Sequence, residues 1–222
     1  TESGSTNGYK LANIQSQHLL LNNVSTKNES SSTSGVFGTY IGFTNDSAAS
    51  LTSYNFSSEN VTPIFYTGYA TGITTILTNT SIRDARITIG HVNNYSEGTI
   101  EVNQLNLSGS IGSLIPIGIY TRNYEYGTPT KINLSNVSIK NADLTGSGES
   151  IIRTSFEGPS KTVGLFENIE ISDLQLSNST FEHAFSLFAE NDYYGEDREN
   201  EFSFKNILIE SPTVTSAAFS LV

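Results

Sequence analysis

The chain has 222 residues, no cysteine, methionine or tryptophan, and 22 Asp+Glu against 11 Lys+Arg, a formal net charge of −11. That balance argues against nucleic acid and anionic membrane surfaces as partners, which need a basic face. The missing cysteines exclude a disulfide framework and a thiolate zinc site, and no run of 18 apolar residues predicts membrane insertion through a helix.

Ser, Thr and Asn make up about a third of the chain, and charged residues only 15%. Such a surface is expected of a secreted or cell-surface protein rather than of a cytosolic enzyme. The absence of any methionine leads to the expectation that residues 1–222 are a single domain, a fragment or processed piece of a longer extracellular chain.

In chain order, a short phrase keeps returning. "LNNVST" (21–26) is apolar, two polar, apolar, and is anchored at Val24; "LTSYNF" (51–56) is a looser copy anchored at Tyr54. Between 70 and 100, "SIRDARI" (81–87) and "ITIGHV" (87–92) compete for the same strand. The phrase is clear again in "VNQLNL" (102–107), "LSNVSI" (134–139), "FENIEI" (166–171) and "FKNILI" (204–209). Their anchors Leu105, Val137, Ile169 and Ile207 are 32, 32 and 38 residues apart. A fixed period of this size predicts a solenoid. A β-sandwich is the competing fold, but its turn signals would recur every 8–12 residues.

Asn precedes the anchor at Asn23, Asn136, Asn168 and Asn206. A tight corner between short strands needs a residue in the left-handed region, and Asn tolerates it better than other non-glycine residues. Stacked rungs would set these amides about 4.8 Å apart, close enough to form a ladder. A second apolar run follows each anchor, for example "PIFY" (63–66), "LIPIGIY" (114–120) and "AFSLFA" (184–189). Each turn of 30–38 residues is therefore expected to hold three short strands. No apolar period of 3.6 is sustained, so helices are not expected.

Three short strands per turn, Asn at a tight corner and a period near 32 resemble the right-handed parallel β-helix of the pectin-lyase-like superfamily. The resemblance covers 100–222 well and 1–100 loosely. It implies an all-β solenoid of six to seven rungs. Enzymes of that superfamily that hydrolyse pectin resemble one another in Asn-Thr-Asp, Asp-Asp, Gly-His-Gly and Arg-Ile-Lys motifs, and this chain has none of them. Gly90-His91 and "RIT" (86–88) are fragments without partners. His18, His91 and His183 are far apart in sequence, and the acidic stretch "ENDYYGEDRENE" (190–201) lacks the ligand spacing of a calcium loop. No catalytic residue, metal site or cofactor is expected.

An aromatic residue beside a glycine recurs after the second apolar run. If the rungs stack in register, Tyr120, Tyr124, Tyr126, Phe156, Tyr193 and Tyr194 form an aromatic edge, suited to stacking on sugar rings or anchoring a protein. Alternatively, each aromatic caps its own turn. Eleven Asn-x-Ser/Thr sequons are present, about twice the number expected by chance. Glycans are expected at Asn28, Asn45, Asn94, Asn106, Asn133 and Asn178, but not at the ladder residues Asn23 and Asn136.

The expected function is a non-catalytic extracellular or cell-surface scaffold: an adhesin stalk or fibre subunit. Its open solenoid ends would bind other copies of itself or the rest of a longer chain. A carbohydrate-active enzyme (polysaccharide lyase or hydrolase) and a carbohydrate-binding module are the alternatives.

Overall fold

The computed structural model describes residues 12–14, 18–28, 33–40, 48–94, 97–111, 115–123, 129–144, 147–157, 161–175, 180–190, 200–210 and 219–221. These residues form an all-β parallel β-helix. Its strands in chain order are β1 (Ala12–Ile14), β2 (His18–Asn22), β3 (Ser25–Lys27), β4 (Thr33–Tyr40), β5 (Ala49–Glu59), β6 (Val61–Ala70), β7 (Ile73–Arg83) and β8 (Ile87–Asn94). They continue with β9 (Gly98–Ile111), β10 (Ile117–Asn123), β11 (Thr130–Leu144), β12 (Ser147–Glu157), β13 (Thr162–Gln175), β14 (Thr180–Glu190), β15 (Glu201–Ile209) and β16 (Phe219–Leu221).

Two sheets result. Sheet A stacks β1-β4-β6-β8-β10-β12-β14-β16, and sheet B stacks β2-β5-β7-β9-β11-β13-β15, with β3 also on β5. Every pairing between described strands is parallel. Each turn is thus one B strand followed by one A strand, rather than three separate strands.

The B strand is bent twice, and both bends are written in the backbone. The first corner takes positive φ at Asn23, Asn55, Asn79, Gln104, Asn136, Asn168 and Asn206, all between 53° and 61°. The second falls five residues later, at Asn60, Asp84, Gly109, Asn141 and Asp173. Only residues that tolerate the left-handed region fit such positions cheaply. At each bend the alternation slips by one. In β11, Ser135 and Asn136 both face outward before Val137 turns in, and Lys140 and Asn141 do the same before Ala142.

The five-residue spacing is constant, so all variation in turn length falls elsewhere. From the second corner to the next first corner the chain runs 19, 20, 27, 27 and 33 residues. The two short turns occupy 55–104. They resolve the ambiguous stretch between 70 and 100: 81–83 belongs to β7 in sheet B, and 87–92 to β8 in sheet A. The anchor at Tyr54 is also corrected. The corner residue is Asn55, the buried anchor is Phe56 at 1% exposure, and Tyr54 points outward at 41%.

Inside, the columns run through the rungs. Leu105, Val137, Ile169 and Ile207 are aligned, and so are Leu107, Ile139, Ile171 and Ile209. The first three of each column are fully buried, while Ile207 and Ile209 are half-buried at the terminal strand.

Outside, the corner amides link the rungs. Asn55 Nδ2 donates to Asn23 Oδ1 at 2.9 Å, and Asn79 Nδ2 to Asn55 Oδ1 at 2.7 Å. The series resumes from Asn103 Oδ1 to Asn136, then Asn168, then Asn206, at 2.8, 3.1 and 2.9 Å. The rung between carries Gln104 at the corner, and its neighbour Asn103 supplies the acceptor instead. Gln tolerates the left-handed region less well than Asn, and its amide sits one methylene too far out. Gln104→Asn is therefore expected to join the two ladders and stabilise the protein by about 1 kcal/mol. A raised urea midpoint at unchanged m-value is the measurement that checks it.

Candidate functional site: the outer face of sheet A

Strands β6, β8, β10 and β12 stack in register, and period-2 alternation sends every second residue outward. The outward column runs Tyr66, Gly90, Tyr120, Ser155. The next outward pair is Arg122 beside Glu157. Gly90 has a local purpose here. A Cβ on it would lie 3.0 Å from Tyr66 Cδ2 and 3.2 Å from Cε2, so the Tyr66 ring lies across the glycine. Even alanine there would force the ring to give by a few tenths of an ångström.

Tyr120 is fixed from the other side. Its hydroxyl donates to Glu157 Oε2, and Arg122 Nη2 donates to Glu157 Oε1 at 2.5 Å. The carboxylate is thus held by a charge-assisted pair on one oxygen and a phenol on the other. Burial raises the Tyr120 pKa, and the hydrogen bond and charge of Glu157 raise it further, well above any physiological pH. Tyr120 is therefore a hydrogen-bond donor and a flat apolar ring, not a proton-transfer group. Two half-buried tyrosines, a charged pair and a serine make a polar, ring-bearing platform that can stack on and hydrogen-bond to a ligand. Nothing in it forms a nucleophile–base pair.

Of the six aromatic residues expected to form an edge, Tyr120 lies on this face. Phe156 does not. It aligns with Thr121 rather than with Tyr120, and a one-residue offset sends a strand side chain to the opposite face. Phe156 is accordingly 4% exposed and stacks on Phe202 at a centroid distance of 5.4 Å. Tyr124, Tyr126, Tyr193 and Tyr194 lie outside the described residues. Tyr66, which is not one of those six, also belongs to this face. Its signal is the parallel endings of "PIFY" and "PIGIY", both of which close on the outward tyrosine.

The histidines stay on separate strands: His18 on β2, His91 inside β8 and His183 on β14. Among the described residues no three His, Asp or Glu gather into a set that could hold a metal ion. A second concavity, an open groove of roughly 610 Å³, lies along the second corner between Gly109, Asn141, Asp143, Asp173 and Gln175.

The corners also account for the sequons. Asn23, Asn55, Asn79 and Asn136 are first-corner residues, and Asn60 is a second-corner residue whose amide donates to Asn28 O at 3.2 Å. A corner Asn, then a mostly inward residue, then an outward Ser or Thr spells Asn-x-Ser/Thr for structural reasons. Six sequons remain, at Asn28, Asn45, Asn94, Asn106, Asn133 and Asn178. With 22 Asn and about a quarter of the 222 residues Ser or Thr, chance gives roughly five to six. The excess is the corner itself. Asn106 is exposed on β9, Asn133 is half-exposed on β11, and Asn28 is half-buried with its carbonyl engaged by Asn60. Asn45 and Asn178 lie outside the described residues, and Asn94 is described only as part of β8.

The fold and this face define the class as a parallel β-solenoid with a tyrosine-bearing sheet. No family model, no curated protein and no solved structure matches the chain.

Proposed function

We propose that this protein is a non-catalytic extracellular scaffold, a stalk or fibre element built on a right-handed β-helix of the pectin-lyase-like kind. The observation that carries the reading is the use made of its charges. Glu59, Glu97, Glu157, Glu167, Glu170 and Glu201 are each tied to a Lys or Arg of an adjacent rung: Lys27, Lys131, Arg122, Lys205, Lys140 and Lys161. Hydrolysis of a sugar needs two carboxyl groups that face one another across a cleft. These six carboxylates are instead distributed along the solenoid as fastenings between rungs. The Ser-, Thr- and Asn-rich surface supports an extracellular location, with Asn106 and Asn133 as outward positions for glycans.

The face of Tyr66 and Tyr120 favours a second reading, a glycan-binding surface on the same scaffold. Incubation with pectic, alginate-like and host polysaccharides, followed for reducing ends or unsaturated products, tests the first reading; turnover would sink it. Co-sedimentation with the insoluble members of the same panel tests the second. Binding that weakens about tenfold in Tyr120→Ala, with an unchanged melting temperature, is the expected result, since one aromatic stacking contact contributes on the order of 1 kcal/mol. Equal retention of both proteins would rule out this face.

A further inference from the structure

The two ends of the solenoid differ, and they are complementary. Sheet B ends in β2 on one side and β15 on the other; sheet A ends in β1 and β16. The amide ladder has a direction: every Nδ2 donates toward the N-terminal rung. At the β2 end, Asn23 Nδ2 has no acceptor among the described residues. At the β15 end, Asn206 Oδ1 has no donor among them. The two missing halves are those of one further hydrogen bond.

Side-chain columns match in the same way. Counted from the first corner, Phe202 occupies the position of Leu19, Phe204 that of Leu21, and Ile207 that of Val24. Phe202, Phe204, Ile207, Ile209, Leu21 and Val24 are only partly buried against the core, with no further layer over them among the described residues. Four residues past the corner the column reads Lys27, Glu59, Arg83 at one end, passes through Ser108, Lys140 and the buried Ser172, and closes on Glu210 at the other. Lys27 bridges Glu59 at 3.0 Å, and Glu59 bridges Arg83 at 4.0 Å. Glu210 is held in register, its N–H donating to Ile171 O at 2.8 Å. A further rung beside Glu210 with Lys27 at this position would set a lysine against a glutamate, as Lys27 already stands against Glu59. Five residues before the corner, Glu201 likewise stands where His18 stands in β2.

We propose that the β15 end of one copy binds the β2 end of a second copy, head to tail. Asn206 would accept from Asn23, Glu210 would pair with Lys27, and Phe204 and Ile207 would cover Leu21 and Val24. The contact is heterologous and does not close on itself, so it propagates into a linear assembly. It rests on the two ends alone and not on the scaffold reading. Turnover of a polysaccharide would overturn that reading and leave the stacking untouched, and a strictly monomeric protein would do the reverse.

Sedimentation velocity over a wide concentration range, at low and high salt, tests the proposal on the whole chain. Linear oligomers that grow with concentration and shrink with salt are expected. Glu210→Lys and Lys27→Glu should each weaken assembly about tenfold, the swing between an opposite-charge and a like-charge cross-strand pair. An equimolar mixture of the two variants should restore it, because the lysine introduced at the β15 end then meets the glutamate introduced at the β2 end. If Lys27→Glu melts early, because its carboxylate faces Glu59, Lys27→Gln replaces it and Glu210→Lys carries the comparison. A monomer at every concentration overturns the proposal. Assembly that ignores both substitutions also overturns it.

Discussion

Gly109→Ala should lower stability by about 3 kcal/mol, among the largest single effects in this chain. Gly109 is the only second-corner glycine among the described residues, at φ +80°. A Cβ there would lie 2.2 Å from Asp84 Oδ1 and 2.9 Å from its Cγ, with the Asp84 backbone nitrogen at 3.2 Å. The carboxylate has a task in that place: Oδ1 accepts the Ser110 N–H at 2.7 Å, and Oδ2 bridges Arg83 Nε at 3.2 Å. Alanine therefore adds left-handed strain, displaces Asp84 and strips Ser110 of its acceptor. The steric part is separable. Asp84→Gly tolerates its own corner, where φ is 56°, and removes the obstructing carboxylate. In the Gly109→Ala/Asp84→Gly double variant the alanine should cost only about 1 kcal/mol more than Asp84→Gly alone, the residual strain. Urea unfolding of the four proteins checks this; strictly additive costs would refute the steric account. Gly164→Ala makes a useful contrast. Its Cβ would meet Phe202 Cδ1 at 2.5 Å and Phe166 Cε2 at 2.9 Å; Phe202 is half-buried on the terminal strand and can swing outward, but Phe166 is fully buried, so the cost is one of core overpacking without left-handed strain.

The same corners show what the sequence could and could not reveal. The first corner was legible because one residue type fills it almost throughout, and because its anchors at Val137 and Ile169 are apolar. It was lost at Asn79, where the anchor is Thr80, a buried hydroxyl that breaks the apolar phrase, and misplaced by two residues at Phe56, where the outward Tyr54 offered a competing apolar ring; the fourth rung kept its phrase through Leu105 although Gln104 replaces Asn. The second corner left no single repeated letter, since Asn60, Asp84, Gly109, Asn141 and Asp173 share a backbone conformation but divide among three residue types. The 32-residue period held only where the stretch after the second corner kept its length, which is why 70–100 resisted alignment. The site suffered from the finest error. Tyr120 and Phe156 both end apolar runs, but their strands align one residue out of step, and in a sheet that separates a surface ring from a core ring. Only register, fixed by contacts between rungs, distinguishes them.

Lowering the pH from 6.5 toward 3 should destabilise this protein through one buried imidazole. His91 points into the solenoid from β8, 1% exposed, with Nε2 2.9 Å from Thr75 Oγ1, which in turn lies 3.3 Å from Thr67 Oγ1. Burial pushes its pKa down from 6.5 to about 3. The folded chain therefore holds the ring neutral across a range in which the unfolded chain protonates it. For a base with a depressed folded pKa, the unfolded state binds the extra proton, so stability is intact above pH 6.5. It falls by up to about 1.4 kcal/mol per pH unit below that, and levels off near pH 3. The full loss is on the order of 5 kcal/mol, a large share of the stability of an ordinary domain. Carboxylates also titrate in acid, so the comparison must be differential. His91→Gln keeps a hydrogen-bonding group toward Thr75 and cannot ionise. It should be less stable than the parent at pH 7.5, because an amide fits the ring's space imperfectly. The gap should close as the pH falls through 5 and reverse before pH 4. Urea midpoints for both proteins at half-unit steps give the result directly. A gap that stays constant from pH 7.5 to 4 would mean that the folded protein admits the proton at His91, and that the core of the short rungs is open to water.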